Sequence, residues 1–189
     1  MAYTTAAAVK TYGGISGNGD DTLIGTLITA AQAAIDGFCH RTFEAGDTTR
    51  YYDAIGDHIR GATLFLDDEI ASITTVTNGD GVEVASGEYA TEPRNVAPYT
   101  AIKLLSNSGK VWTYSAAWEN AIEITGAWAY SSSVPSDIAH ACIRLAYFYY
   151  KQKDAAMFDV VAIEAGVVVK PVGIPADVQS ILKTYRRLI

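Results

Sequence analysis

Two long stretches of the chain repeat apolar residues every three to four positions, the spacing of a helix with one buried face. The first begins after Asp20 and Asp21, which are suited to cap a helix N-terminus, and the second near Pro135, a residue favoured in a first helical turn. A third, short helix is predicted after Pro175. The predicted inward positions are Leu23, Leu27, Ala31, Ala34 and Phe38, flanked by Ile24, Ile28 and Ile35; then Ile138, Ala141, Cys142, Leu145, Ala146 and Tyr149; and finally Val178, Ile181, Leu182 and Tyr185.

Between the first two helices, over roughly residues 48–130, apolar and polar residues alternate as in strands with one buried face. Runs at 50–54, 63–66, 73–77, 101–105 and 122–130 each predict a strand. Asn78-Gly79-Asp80-Gly81 predicts a hairpin turn, because both central positions of such a turn favour residues tolerant of positive φ. The order predicts an α+β fold: N-terminal and central helices packed on a small antiparallel β layer, with a C-terminal arm and short helix.

The same pattern divides the chain into three segments: a flexible N-terminal lead-in over 1–19, an α+β domain over 20–153, and a C-terminal arm with a short helix over 154–189. Two apolar, β-prone runs in the arm predict a hairpin, or an arm that becomes ordered against another subunit. The alternative is a strand that completes the chain's own sheet. On the arm hypothesis, residues 160–189 can be removed without loss of the fold of 20–153.

Composition and charge narrow the function classes. Among 189 residues, 49% are hydrophobic and 19% charged, which is typical of a folded protein. The formal net charge of -7 argues against a protein that holds nucleic acid on a basic surface. Residues 1–150 carry a net charge of -9 and residues 151–189 a net charge of +2. The arm can therefore be attracted to an acidic body, its own or a neighbour's.

The sequence is not expected to contain a membrane span, a signal peptide or a disulfide. Arg144 interrupts the densest apolar run, 139–150, so no stretch is expected to cross a bilayer and no membrane partner is expected. Residues 1–14 do not have the charged start and apolar centre of a signal peptide. Cys39 and Cys142 fall on apolar helix faces and are predicted to be free, buried thiols, as is usual in the cytoplasm.

The spacing of the remaining chemically active residues does not assemble a reactive centre. His140 and Cys142 are two positions apart on one predicted helix, about 200° around its axis, so they cannot bind one ion. The acidic run 67–69 is interpreted as a solvated turn, since a calcium loop alternates its ligands. The glycine-rich run 13–19 lacks the Lys-Ser/Thr pair of a phosphate-binding loop. We therefore expect no catalytic residues, no metal site and no cofactor.

The aromatic residues leave two interpretations open. Trp112, Trp118 and Trp128 could form a carbohydrate-binding platform, but aromatic residues in a β layer more often fill a core or a subunit interface. Residues 147–150 are consecutive aromatics on one predicted helix and must point in all directions around it. A helix that is apolar on every side is buried on every side, which favours an oligomer.

The order of these motifs resembles that of the head-tail connector proteins of tailed bacteriophages, also called head-completion or portal-adaptor proteins. The resemblance covers about residues 20–153. It is carried by the helix start at 20–24 and the helix exit at 35–43, the tyrosine pair 51–52, the strand 63–66, the run 70–76 with its Asn-Gly-Asp-Gly turn, and the passage from 121–130 into the proline and helix at 134–141.

The resemblance implies a non-enzymatic structural protein of the virion neck, made in the bacterial cytoplasm. It implies a ring, with twelve copies the expected number, that docks under the portal protein, extends the DNA channel and offers a docking surface to tail or stopper proteins. Double-stranded DNA would pass through without sequence-specific binding. The alternatives are another neck or tail subunit, such as a stopper or tail terminator, or a carbohydrate-binding β module.

The resemblance also implies that the C-terminal segment reaches the portal or a neighbouring subunit. The candidate partner-binding residues are Val160, Val161, Ile163, Val167, Val168, Val169, Lys183, Arg186 and Arg187.

Overall fold

The computed structural model describes residues 2–154, 161–162, 168–169 and 173–187. The chain folds into two compact units. One, the strand unit, comprises residues 42–133; the other, the helical unit, comprises residues 2–41 together with the chain from 134 onward. The α+β prediction is confirmed.

The helical unit contains four helices and one pair of short strands among its described residues. The helices are α1 Ala6–Gly13, α2 Asp21–Cys39, α3 Ser136–Asp154 and α4 Ala176–Leu182, the last continued by a 3₁₀ turn, Lys183–Tyr185. Strands β8 Val161–Ala162 and β9 Val168–Val169 pair with each other in antiparallel fashion, with Val161 opposite Val169. Of the alternatives for the arm, this pairing matches the hairpin.

Helix α1 was not predicted, and it lies inside the segment expected to be a flexible lead-in. The hydroxyl of Thr5 accepts the N–H of Ala8 at its start, and Gly14, with φ of 62°, ends it. Val9 is fully buried, and the buried Tyr3 donates its hydroxyl to Asp36 at 2.6 Å. Eight residues are too few for a convincing helical period, which is why the pattern did not indicate this helix.

The buried face of α2 is displaced by one position from the predicted one. The residues that face the core are Ile24, Ile28, Ala31, Ile35 and Cys39. Leu23, one of the residues of the predicted face, is 36% exposed. Apolar residues cover so much of this helix that two neighbouring stripes satisfy the three-to-four spacing, and packing selects between them. In α3 the predicted positions Ile138, Ala141, Cys142, Leu145 and Ala146 are buried.

One described helix, α2, is long and apolar enough to cross a membrane by length and composition, contrary to the expectation that no stretch would be. It has 19 residues and a mean hydropathy of 1.3. The core helix of a folded protein passes the same test, and α2 packs against α3. This property is therefore weak evidence for a membrane span.

The strand unit contains two antiparallel sheets where one layer was expected. The three-stranded sheet has the order β1-β7-β4 and the four-stranded sheet the order β2-β3-β6-β5. The strands are β1 Asp47–Tyr52, β2 Ile59–Arg60, β3 Thr63–Ile70, β4 Ser72–Thr77, β5 Tyr89–Glu92, β6 Tyr99–Leu104 and β7 Ile122–Ala127. Each predicted run overlaps one of these strands, while β2 and β5 were not predicted.

The two sheets share one hydrophobic core. It contains Tyr52, Val76, Ile122, Ile124 and Trp128 from the three-stranded sheet and its flank, with Leu64, Ile70, Ile102 and Leu104 from the four-stranded sheet. Because side chains alternate along a strand, the residues between these point away from the core. Each sheet therefore presents one inner face to the core and one outer face on its other side.

The predicted turn at 78–81 is present. The N–H of Asn78 donates to the carbonyl of Val82 at 2.9 Å, and Gly81 has the positive φ, 78°. Neither central residue, Gly79 or Asp80, has a positive φ, so the conformation predicted for these positions was wrong. Glycine is required at position 79 because a Cβ would collide with the backbone of Thr113.

Candidate interaction surfaces

The candidate residues of the C-terminal arm are only partly brought together. Val161 lies in β8, and Val168 and Val169 lie in β9, which pairs with it. Val160, Ile163 and Val167 lie outside the described residues. Lys183 begins the 3₁₀ turn and is exposed, and Arg186 and Arg187 follow that turn.

The end of the chain is fastened to the helical unit. The backbone N–H of Arg187 donates to the carbonyl of Cys39 at 2.9 Å, and the guanidinium of Arg186 lies 5.6 Å from the centre of the Phe38 ring. Both arginines were predicted to point outward to a partner. Arg186 is exposed as predicted, whereas the backbone of Arg187 is part of the helical unit's own packing.

Helix α4 packs into the helical unit through two buried side chains, Val178 and Leu182, whose exposed fractions are 1% and 0%. Asp177 pairs with Arg144 of α3, and the hydroxyl of Tyr185 donates to Asp137 at 2.8 Å. The arm hypothesis held that residues 160–189 are dispensable for the fold. These contacts contradict that expectation for the part that contains α4.

The aromatic residues at the end of α3 are mostly covered by the chain itself. Tyr147 meets Tyr12 of α1 edge to face, with ring centres 5.6 Å apart, and its ring lies where a Cβ on Gly13 would be. Tyr147, Phe148 and Tyr149 are half-buried, and Tyr150 is buried. The unpredicted helix α1 thus supplies part of the burial that the sequence assigned to another subunit.

A charged cluster joins the start of α2 to the end of α3. The carboxylate of Asp20 accepts the hydroxyl of Tyr150 at 2.6 Å and the ammonium of Lys153 at 2.9 Å. The Tyr150 hydrogen bond, followed by that of Lys153, holds the pKa of Asp20 below its ordinary value of 3.8. The hydrogen bond between Lys153 and Asp20 raises the pKa of Lys153.

Replacing Asp20 with asparagine is expected to lower the thermal stability of the protein at pH 7. A carboxyl whose pKa is lowered by folding stabilises the folded state above its unfolded pKa and loses that effect as it is protonated. The difference in Tm between wild type and Asp20→Asn should therefore shrink as the pH falls below 3.8. Scanning calorimetry across this range checks it, with the exposed Asp57→Asn as control; a difference that grows towards acid contradicts it.

The acidic run 67–69 is not a solvated turn, as the sequence suggested, but part of strand β3. The guanidinium of Arg50 in β1 reaches both Asp67 and Asp68 at 3.2 Å and lies over the ring of Trp128, 4.2 Å from its centre. The hydroxyl of Tyr52 donates to Asp67. Burial alone would raise the pKa of Asp67, but the Tyr52 hydroxyl and the Arg50 charge outweigh it and lower that pKa. This cluster links β1 and β3, which belong to different sheets.

Replacing Tyr52 with phenylalanine is expected to cost about 1.5–3 kcal/mol of unfolding free energy, the usual value of a hydrogen bond to a charged group. The neighbouring Tyr51 is 54% exposed and offers a matched control, since Tyr51→Phe should change stability by no more than about 0.5 kcal/mol. Urea denaturation of both variants makes the comparison. Equal effects would mean that the hydroxyl of Tyr52 contributes nothing to the link between the sheets.

The three tryptophans do not form one exposed platform. Trp128 is 4% exposed and donates its indole N–H to the carbonyl of Thr48 at 3.0 Å. Trp112 is half-buried and donates to the carbonyl of Ala62 at 3.0 Å, and Trp118 is 40% exposed. The arrangement is that of a core and a loop anchor, so it disfavours the carbohydrate-binding alternative.

The outer face of the three-stranded sheet is acidic. Strand register aligns Tyr51, Glu123 and Thr77 in one row, and an isolated bridge adds Glu83 beside Thr77. Tyr51 and both glutamates are exposed. Among the described residues, neither glutamate has an ion-pair partner. The row depends on strand register, which no local sequence pattern encodes.

The outer face of the four-stranded sheet is basic. Register aligns Arg60, Thr63 and Lys103 in one row, with Arg60 and Lys103 exposed. The guanidinium of Arg60 lies 5.5 Å from the ring centre of Phe65, which is 42% exposed. Beyond Lys103 a shallow cavity of about 470 Å³ is lined in part by Arg94 and Lys110. Four of the strand unit's five basic side chains lie on or beside this face. Two of them are paired, Arg94 with Glu92 at 3.3 Å and Lys110 with Glu88 at 3.7 Å. Within the described residues, the positive charge of the face that has no ion-pair partner is therefore that of Arg60 and Lys103.

The thiols are unsuited to nucleophilic chemistry. Both cysteines are free and fully buried, as predicted. Burial raises the pKa of Cys39 to about 11 and that of Cys142 to about 12. Both groups are therefore protonated at neutral pH.

Comparison with known proteins identifies the family of the chain through one family model and its fold through solved structures. A family model described as head completion protein matches residues 2–188. No curated protein matches the chain in sequence. The solved structures that are similar to it include the neck of an empty GTA particle computed with C6 symmetry, the neck of a native GTA particle computed with C12 symmetry, and the virion of a native gene transfer agent (GTA) particle.

The structural likeness extends over nearly the whole chain. The C6 neck chain has a TM-score of 0.58 and 16% identity, with 97% of this chain and 89% of that chain covered. The C12 neck chain has a TM-score of 0.56 and 16% identity, with coverage of 97% and 91%. The virion chain has a TM-score of 0.54 and 18% identity, with coverage of 93% and 81%. At this identity the likeness shows the fold alone. The family match, which covers almost every residue, shows that the chain belongs to the head completion protein family, with the structural role of a head-tail adaptor.

Proposed function

We propose that this protein assembles as a ring under the portal, extends the DNA channel and presents a docking surface to tail or stopper proteins. The observation that carries the proposal is the family match over residues 2–188. The similar neck structures were computed with C6 and C12 symmetry, both of which support a ring, and the C12 symmetry supports twelve copies. On this proposal the protein is not an enzyme and needs no cofactor.

The charge of the strand unit suits a channel through which DNA moves. It carries 13 acidic and 5 basic residues, a net charge of -8. A basic channel wall would bind DNA by releasing the counterions of its phosphates, and an acidic wall does not release them. Double-stranded DNA would therefore pass through the channel without being held. Binding in the channel would then be neither strong nor sequence-specific.

The C-terminal arm is the segment we propose to contact the portal or a neighbouring subunit. Residues 151–189 carry a net charge of +2, and Lys183 and Arg186 are exposed at its end. The β8 and β9 strands place Val161, Val168 and Val169 on one short two-stranded element. Because α4 is packed into the helical unit, the contacting part would be the segment before α4 together with the exposed basic side chains after it.

Binding to the portal protein of the same virus tests this function. We expect native mass spectrometry to detect one ring of this protein on each portal ring. Val168→Asp should weaken portal binding at least about tenfold with little change in Tm, whereas Val96→Asp, at a valine that is 63% exposed in the strand unit, should bind as wild type. Failure of the wild type to bind the portal would overturn the proposal.

The second candidate is another neck or tail subunit, a stopper or a tail terminator. Such a subunit would bind an adaptor ring or a tail tube and not the bare portal. The same experiment separates the two functions, because only an adaptor is expected to bind the portal without another protein.

A further inference from the structure

The strand unit carries opposite charges on its two outer faces. On the three-stranded sheet, Glu123 and Glu83 lie in one row with Thr77 on the strand between them. On the four-stranded sheet, Arg60 and Lys103 lie in one row with Thr63 on the strand between them. In both rows the two charged residues are two strands apart, about 10 Å at the usual strand spacing. The rows match in spacing and are opposite in sign.

None of these four charged side chains is engaged in an ion pair within the described parts of the chain. All four are exposed, and Arg60 contacts only the neighbouring Phe65 ring among the interactions described. By contrast, Arg50, the fifth basic residue of the strand unit, is held by Asp67 and Asp68. The two rows are therefore available to a partner, and each has an exposed aromatic ring beside it, Tyr51 on the acidic face and Phe65 on the basic face.

We propose that the partner of each face is the opposite face of a second copy of this chain. Glu123 and Glu83 of one copy would pair with Arg60 and Lys103 of the next, and Tyr51 and Phe65 would supply apolar contact at the same interface. The proposal rests on the ring proposed above and assigns its subunit contact.

The sign of the charges also fixes the type of assembly. Pairing two copies through the same face would bring glutamate against glutamate or arginine against lysine, which is repulsive. Pairing through opposite faces leaves one acidic and one basic face free on every growing assembly. Such head-to-tail contacts form a ring when the rotation between neighbours closes. The complementary faces thus favour a ring over a symmetric dimer.

Two reciprocal double variants of the full-length protein test the contact. Arg60→Glu with Lys103→Glu makes both faces acidic, and Glu83→Lys with Glu123→Lys makes both faces basic. We expect each variant alone to self-associate at least about tenfold more weakly than wild type. An equal mixture should recover assembly, because every contact then pairs an acidic face with a basic one, and the two variants should alternate around the ring.

The matched control is Asp57→Lys with Glu119→Lys, two exposed residues in loops of the same unit, which changes the net charge as the basic double variant does. This control should assemble as wild type. Native mass spectrometry, alone and with the portal protein of the same virus, gives the number of copies, and circular dichroism verifies that each variant is folded. Recovery in the mixture supports the proposal, as does alternation of the two variants.

If both double variants form the same ring as the wild type, the assigned contact is wrong, but the neck function is not contradicted. Loss of assembly in the variants without recovery in the mixture also overturns it. A wild type that forms no ring in either condition overturns both the contact and the ring. The same mass spectra show separately whether the wild type binds the portal protein. Failure of the neck function can therefore be distinguished from failure of the assigned contact.

Discussion

Replacing Leu182 with alanine is expected to lower the free energy of unfolding of the helical unit by about 2–5 kcal/mol, the range for a large-to-small change at a buried site. Leu182 is fully buried at the end of α4, and its carbonyl lies 3.6 Å from the thiol of Cys39 in α2. Loss of its side chain leaves a cavity where α4 meets the rest of the unit. All described helices belong to this unit, so urea unfolding followed by circular dichroism at a helical wavelength reports on it.

The adjacent Lys183 supplies the control, because it is exposed and starts the 3₁₀ turn. Lys183→Ala should change the unfolding free energy by no more than about 0.5 kcal/mol. If Leu182→Ala has an effect as small as the control, α4 is not part of the unit's core. In that case the end of the chain would be a dispensable arm, as the sequence suggested.

Replacing Gly126 with alanine is expected to cost about 2–3 kcal/mol, the upper part of the range for overpacking. Gly126 lies in β7, the central strand of the three-stranded sheet, opposite Ile73 of β4. A Cβ at this position would collide with the carbonyl oxygen of Ser72 and lie 3.1 Å from the Cα of Ile73. Backbone cannot move aside as a flexible side chain can, so β4 must shift away from β7.

Gly87 in the same unit offers the matched substitution, because a Cβ there would meet nothing within 4 Å. Gly87→Ala should be neutral or slightly stabilising, since alanine reduces the freedom of the unfolded chain. Scanning calorimetry of both variants gives the comparison. Equal Tm values would show that β4 adapts to the extra methyl group at no cost.

Much of the fold follows from periodicity, and the exceptions have physical reasons. The long helices α2 and α3 and the main strands were predicted because each has enough residues to display a period. Helix α1 has 8 residues and strand β2 has 2, too few for a period. The choice between one sheet and two depends on pairing partners far apart in sequence, such as β1 with β7, and no local pattern encodes them.

The candidate interaction surfaces were less accessible to sequence reasoning. Apolar residues in the arm are recognisable as candidates from the sequence, because exposed apolar residues normally need to be covered. The charged rows are not recognisable, because Arg60 and Lys103 are 43 positions apart and exposed charges occur on every protein surface. Strand register brings them into one row, and only then does the match in spacing with Glu123 and Glu83 become visible. Such a site can therefore be recognised only when the pairing and register of the strands are known.

The two units carry different natural reporter groups. Trp112, Trp118 and Trp128 all lie in the strand unit, and Cys39 and Cys142 both lie in the helical unit. Indole emission thus follows one unit and thiol labelling the other, without introduced dyes. In a single preparation, the two signals would reveal whether the halves of the molecule open together or one after the other, and which of them gains protection when copies associate.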